Sequence, residues 1–364
     1  RKLRGEEPSW KSPSDVIVHR TFALSFSLSG AEKGKNDHTS VCSTWYASML
    51  LRKIFFLRKG VSLPVKNHQP QLPTIMTTAA TTKAVIPKFR YLSAWFCPFA
   101  HRATLALEHH KGRVEYEWVE ALGWEQRADE KNVTGAGHEW WYHWKAEELK
   151  RTSPGALVPT LIPINPQTGQ AEEDKSVFES IITIEYIDQV SGAKGKDRLI
   201  SEDPFWYARS RYWADKVNRE CCSTYYGVLV KKEETERKEQ FQELVKGLTN
   251  FSQQLTQSSG PTFLPDGQLS NVDLTLLPWA FRYYVFETYR GPDYTIPRTP
   301  ELEAYHAWFD HVINLESVQR TLPDKDRYLE HIAKYADGSA RSKVANAVRR
   351  GVAAHELDDE KDNY

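Results

Sequence analysis

Signs of β-structure are confined to one stretch of this chain, and that segregation narrows the available folds more than any other feature. Residues 88–94 (KFRYLSA) alternate and are rich in aromatics, as a strand would be, and residues 114–119 (VEYEWV) read as a second strand. Between them lies FAHRATLALEHHKG, in which Phe99, Ala103, Ala106 and Leu107 share one helical face. Pro98 suits the first helical position and Gly112 the C-terminal cap. A polar, Trp-rich stretch over 123–144 predicts an irregular loop or a short helix. Residues 156–164 (ALVPTLIPI) and 175–178 then read as a strand pair, and 179–190 (ESIITIEYIDQV) as a helix closed by Gly192. The order is βαβ, then ββ, then α. From Pro204 onward strand signals vanish, and helical patterns run about 204–231, 234–257, 270–290, 299–316 and 324–335. The expected architecture is an α/β N-terminal domain over 86–192 followed by an all-α C-terminal domain over 200–335.

The flanks read differently. Residues 1–85 lack sustained periodicity and are rich in Ser, Thr, Lys and Pro, which predicts a disordered, targeting or artefactual extension. No acidic residue occurs between Asp37 and Glu108, and the segment after Met49 is basic and amphipathic, as organelle transit peptides are. The plainer expectation is upstream translated sequence, with the protein itself starting at Met76, because the chain opens on Arg1. Residues 336–364 read as a charged tail, helical at first and then acidic.

With 48 basic and 48 acidic side chains, the chain has no excess charge with which to neutralise phosphates, so a nucleic-acid partner is not expected. No stretch approaches the ~20 apolar residues of a membrane span. The expectation is a cytoplasmic protein, or an organellar one if the segment from Met49 is translated. Cys42, Cys97, Cys221 and Cys222 are too few for a disulfide framework. His109-His110 and Cys221-Cys222 are adjacent pairs without ligand spacing, so no metal site is expected.

Three local signals bear on chemistry. Cys97 follows a strand, and Pro98 places it at the N-cap of the next helix, where unpaired N–H groups and the helix dipole stabilise a thiolate. Its pKa is expected below the ~8.5 of a free cysteine, a buried core cysteine being the alternative. Position three beyond it is Ala100, so the dithiol CxxC motif is absent and an external thiol must resolve any disulfide. His101 and Arg102, one turn away, read as solvated helix residues, the alternative being that they add positive charge beside Cys97. Val158-Pro159 heads a strand, where a cis peptide would turn Val158 outward to pair with an extended peptide, an ordinary trans proline being the alternative. Glu179-Ser180 opens a helix. Ser180, read as its N-cap, and the nearby N–H groups could hold a carboxylate while Glu179 takes an ammonium; simple capping is the alternative.

In type and order, FCPFAHR (96–102), GALVPTL (155–161) and VFESIITIEYIDQV (177–190) resemble the glutathione-site motifs of the glutathione transferase superfamily, its omega class above all. The likeness spans about 87–322. It implies a thioredoxin-like first domain and a helical second one. It also implies Cys97 as catalytic cysteine, Phe99 packed beside glutathione, and Val158, followed by Pro159, pairing with the cysteinyl backbone. Glu179 and Ser180 would hold the γ-glutamyl end, and Lys145 the glycine carboxylate. Trp279, within a helix whose Ser270-x-x-Asp273 matches a capping box, would line the second-substrate pocket, and Tyr212 would stand in the wall contributed by the helix over 204–231. The implied activity is thiol transfer with glutathione as co-substrate and a small electrophile or disulfide as partner, including dehydroascorbate reduction or deglutathionylation, in a homodimer. The alternatives are a glutathionyl-hydroquinone reductase, whose members carry Trp where this chain has Phe99, and a non-catalytic interaction module of the same fold.

Overall fold

The computed structural model describes residues 85–128, 139–258, 260–358 and 361. The expectations for residues 1–84, including Met49, Met76 and Cys42, lie outside that range, as does most of the acidic run's end.

The α/β part is built on strand β1 (Lys88–Ser93) and helix α1 (Pro98–His109), followed by β2 (Glu115–Glu120). β1 runs parallel to β2, which forces the helical crossover between them. The Tyr91 hydroxyl donates to the Ala100 carbonyl at 2.6 Å, tying strand to helix at the turn where Cys97 sits. The stretch expected to be irregular is instead a hairpin: β3 (Leu122–Ala128) pairs antiparallel with β4 (Glu139–Lys145). Aromatic side chains favour a pleated, half-buried surface, and Trp124, Trp140, Trp141, Tyr142 and Trp144 supply one. Gly123 is required there, because a Cβ would meet the Trp144 indole at 2.5 Å.

After α2 (Glu147–Thr152), β5 (Thr160–Pro163) and β6 (Val177–Phe178) complete a sheet of order β2-β1-β5-β6, and α3 (Ser180–Val190) packs on it beside α1. The helical part follows: α4 (Pro204–Val217), a π-helical turn (Asn218–Cys222), α5 (Ser223–Val230), α6 (Glu234–Leu255), α7 (Asn271–Ala280), α8 (Tyr284–Arg290), α9 (Glu303–Val312), α10 (Glu316–Gln319) and α11 (Lys325–Ala336). The Ser270–Asp273 capping box is present at α7, and buried Asp273 also accepts from the Trp308 indole at 2.8 Å and the Phe263 amide at 3.1 Å.

The end of the chain is folded rather than trailing. β7 (Ala340–Arg341) pairs parallel to β4, making a second sheet of order β3-β4-β7, and α12 (Lys343–Arg349) follows. Lys343 Nζ donates to the Gly155 carbonyl at 2.9 Å, and Ser223 Oγ bonds His355 Nδ1. Among the described residues no helix is long and apolar enough to cross a membrane.

Candidate functional site

Helix α1 is buried along almost its whole length, from Pro98 to Leu107, because the sheet covers one side and the helical part the other. Its N-cap is Cys97, with an extended backbone and Pro98 at the first helical position. Cys97 is half-buried in the wall of a cavity of about 600 Å³.

Burial pushes the Cys97 thiol up, while the backbone N–H groups of Ala100 and Phe99 and the guanidiniums of Arg282 and Arg102 hold it down; the net shift is upward. This corrects the expectation of a lowered thiol. The N–H groups are where the sequence puts them, but an enclosed pocket removes the water that would solvate a thiolate, and that cost is larger here.

The same cavity is lined by Phe99, Lys145, Val158, Pro159, Glu179 and Ser180, residues contributed by four separate segments of the α/β part. The Val158-Pro159 peptide is cis. Glu179, rather than Ser180, is the N-cap residue of α3, with φ +70° and no side-chain cap. That left-handed conformation costs a non-glycine residue about 1 kcal/mol or more. Ser180 opens the helix, so its hydroxyl serves no cap; it accepts instead from Arg102 Nη1 at 2.9 Å.

His101 and Arg102 are not solvated. They are 5 % and 1 % exposed, because the helical part closes over the face of α1 that carries them. Arg102 spreads its guanidinium over three acceptors: Ser180 Oγ, the Thr275 carbonyl at 3.0 Å and Asn218 Oδ1 at 2.8 Å. Asn218 reaches that position from the π-helical turn, a local widening that often marks a functional site. His101 accepts from Arg282 Nη1 at its Nδ1 and faces Thr321 Oγ1 with its Nε2. Neither Arg102 nor Arg282 pairs with a carboxylate among the described residues.

Two residues assigned to the second-substrate pocket do not line the cavity. Trp279 is fully buried behind Phe99, ring centroids 4.8 Å apart, with Arg102 stacked over it at 4.3 Å. Tyr212 is 57 % exposed on the outer side of α4. The wall facing the α/β part comes from elsewhere: Asn218, Tyr226 of α5, Tyr328, His331, Ile332 and Tyr335 of α11, and residues 342–344, 354, 355 and 357 of the terminal segment. Tyr226 stacks parallel to Phe99 at 6.5 Å, so Phe99 bridges from Cys97 to this aromatic wall. Periodicity identifies α11 as a helix, and Tyr328, Ile332 and Tyr335 are visible as its apolar face. Nothing local says that this face closes on Cys97.

Chemically, the arrangement presents a thiol with two N–H groups directed at it. A groove of polar backbone and Glu179, Ser180 and Lys145 lies on one side, and a largely aromatic chamber on the other.

Comparison with known proteins agrees with this architecture. A family model described as the glutathione S-transferase N-terminal domain matches residues 96–190. Glutathione S-transferase 3 from Glycine max is 28 % identical over 187 residues, covering 50 % of this chain and 78 % of the soybean protein. Among solved structures, glutathione transferase Omega 3C from Trametes versicolor superposes with a TM-score of 0.52 at 24 % identity, over 70 % of this chain and 91 % of that one. A Tau class glutathione S-transferase from mango, Mangifera indica, also gives 0.52, at 18 % identity over 68 % and 98 % of the two chains. The fold is therefore shared with members of more than one class. With an α/β domain and a helical region meeting at Cys97, and with this set of relatives, the chain belongs to the glutathione transferase superfamily.

Proposed function

We propose that this protein is a glutathione-dependent thiol transferase of omega-like, cysteine type, with Cys97 as its working group. The observation that supports it is a lone cysteine at the start of α1, half-open to a cavity that also holds Val158, Glu179, Ser180 and Lys145. In this cycle the Cys97 thiolate attacks the glutathionyl sulfur of a mixed disulfide, RS–SG. The Cys97–SG bond forms, the RS–SG bond breaks, and the leaving thiolate takes a proton. The thiolate of a second glutathione then attacks the enzyme-bound glutathionyl sulfur, giving oxidised glutathione and free Cys97. Glutathione lies with its γ-glutamyl end at Glu179 and Ser180, its cysteinyl backbone along Val158 and its glycine carboxylate near Lys145. The small electrophile or disulfide occupies the aromatic side. A homodimer, cytoplasmic residence and boundaries at 86–192 and 200–335 belong to the same reading.

A conjugating transferase is favoured by one observation: Tyr226 lines the cavity without a hydrogen bond to its hydroxyl among the described residues, so it could donate to a glutathione thiolate. Turnover of a glutathione mixed disulfide and of a chlorinated nitroaromatic by Cys97→Ser separates the two. Thiol transfer should fall at least about a thousandfold, while glutathione binding survives. Unchanged thiol transfer in the variant would overturn the role of Cys97, and retained conjugation alone would favour Tyr226.

A further inference from the structure

His331 belongs to α11, outside every motif that carries the family likeness, and it separates two spaces. It lines the Cys97 cavity and also borders an outer cleft walled by Trp95, Trp124 and Trp144. Its ring is stacked on Phe96 at 4.0 Å and meets Trp95 in a T-shaped contact at 5.3 Å. Its edge is held by Trp124, whose indole Nε1 donates to His331 Nε2 at 3.4 Å.

That last contact fixes the tautomer. An indole nitrogen can only donate, so Nε2 must accept, and a neutral imidazole then carries its hydrogen on Nδ1. Burial, followed by the nearby charges of Lys334, His143, Arg282 and Arg327, holds the ring well below the usual histidine range, so it stays neutral. Nδ1 makes no hydrogen bond among the described residues, and it is not one of the sealed side-chain atoms left without a partner. The two ring nitrogens point apart. With Nε2 bonded to Trp124, the Nδ1–H is the ring's remaining hydrogen-bonding group, on a residue that lines the Cys97 cavity.

We propose that His331 is a specificity-determining donor, whose Nδ1–H selects second substrates carrying a carbonyl oxygen on a flat, conjugated body. This rests on the cavity being the acceptor site of a glutathione-dependent enzyme. Phe99, Tyr226 and Tyr335 give a flat body an aromatic wall to lie against. A neutral donor favours an uncharged acceptor, whereas a protonated imidazole would favour anions.

The test is a binding comparison that needs no turnover. 2-Acetylnaphthalene and 2-isopropenylnaphthalene have nearly the same shape and differ in C=O against C=CH₂. Their affinities are measured by calorimetry in the presence of glutathione, in the wild type and in His331→Asn, His331→Gln and His331→Phe. An asparagine amide N–H falls near Nδ1; a glutamine falls near Nε2; phenylalanine keeps only the stacking. One neutral hydrogen bond should favour the ketone by about threefold to tenfold. The preference should persist in His331→Asn and vanish in the other two. No preference in the wild type, or one that survives in His331→Phe, overturns the proposal. So does loss in all three variants, which would assign the selectivity to the ring itself. The same comparison in Cys97→Ser stays readable if thiol transfer fails, so the two readings fall separately.

Discussion

Arg102 shows how one side chain can serve a site it barely touches. Burying a guanidinium without a carboxylate partner is costly, and three hydrogen bonds to neutral acceptors offset that cost while leaving the charge uncompensated. The charge lies close enough to favour the Cys97 thiolate, and the fork holds the Ser180 hydroxyl. Arg102→Lys should keep the first effect and weaken the second, because an ammonium cannot reproduce the planar fork. Its KM for glutathione should rise severalfold, with kcat little changed. Arg102→Met should push the thiol further up, and alkylation by iodoacetamide at pH 7 should slow measurably. In the ligand-free wild type the thiol already sits above its ordinary value, so alkylation should keep accelerating as pH rises past neutrality. A rate that levels off below pH 7, or an unchanged profile in Arg102→Met, would contradict this account. Charged helix residues are usually solvated, so the sequence favours the wrong reading of Arg102, whose burial is decided by what later packs on α1.

Among the elements, the junction of α1, α3 and the linker to the helical part turns on Asp188. It is fully buried on α3 and accepts from His110 Nε2 at 3.1 Å, Arg198 Nε at 3.0 Å and the Leu199 amide at 2.7 Å. The Leu199 carbonyl in turn accepts from the Asn271 amide at the start of α7, at 3.1 Å. Burial pushes the Asp188 carboxyl up, but His110, the Leu199 amide and Arg198 outweigh it, and the net shift is downward. A depressed carboxylate stabilises the fold above its unfolded value of roughly pH 4 and loses that contribution as pH falls through the folded value. Asp188→Asn should therefore cost about 3 kcal/mol at pH 7 in urea unfolding, because a buried charge network loses its anion. The deficit should shrink toward zero as the pH is lowered through the carboxylate range. An equal deficit at pH 7 and at strongly acid pH would mean that packing, not charge, carries the effect. His110 and Asp188 are far apart in sequence, and their pairing follows from packing α1 against α3.

Across the whole molecule, legibility follows the range of the interactions involved. Strand and helix order could be read because side-chain periodicity is local: β1, α1, β2, β5, β6 and α3 lie where their patterns predict, within a few residues at the ends. The position of Cys97 could be read for a similar reason, since the strand before it and Pro98 after it impose the N-cap. The N-cap of α3 falls at Glu179, one residue before the expected Ser180, and nothing local selects the cis form of Val158-Pro159. The β3–β4 hairpin was obscured because its partner residues flank an intervening segment, and because the tryptophans pack on β7 and α11, far along the chain. The aromatic wall was the least legible part. It joins α5, α11 and the terminal segment, and only tertiary packing determines which turn of each helix faces inward. Trp279 illustrates the hazard: an aromatic residue on a helix near the site is more often core than lining, and here it supports Phe99 from behind.

The central claim is that Cys97 carries a glutathionyl group during turnover. Intact-protein mass spectrometry on chain treated with oxidised glutathione, followed by peptide mapping, tests it most directly. The account predicts a single glutathionyl adduct on Cys97, removed on addition of reduced glutathione and absent in Cys97→Ser. An unmodified Cys97 in a sample that still turns over mixed disulfides would contradict it.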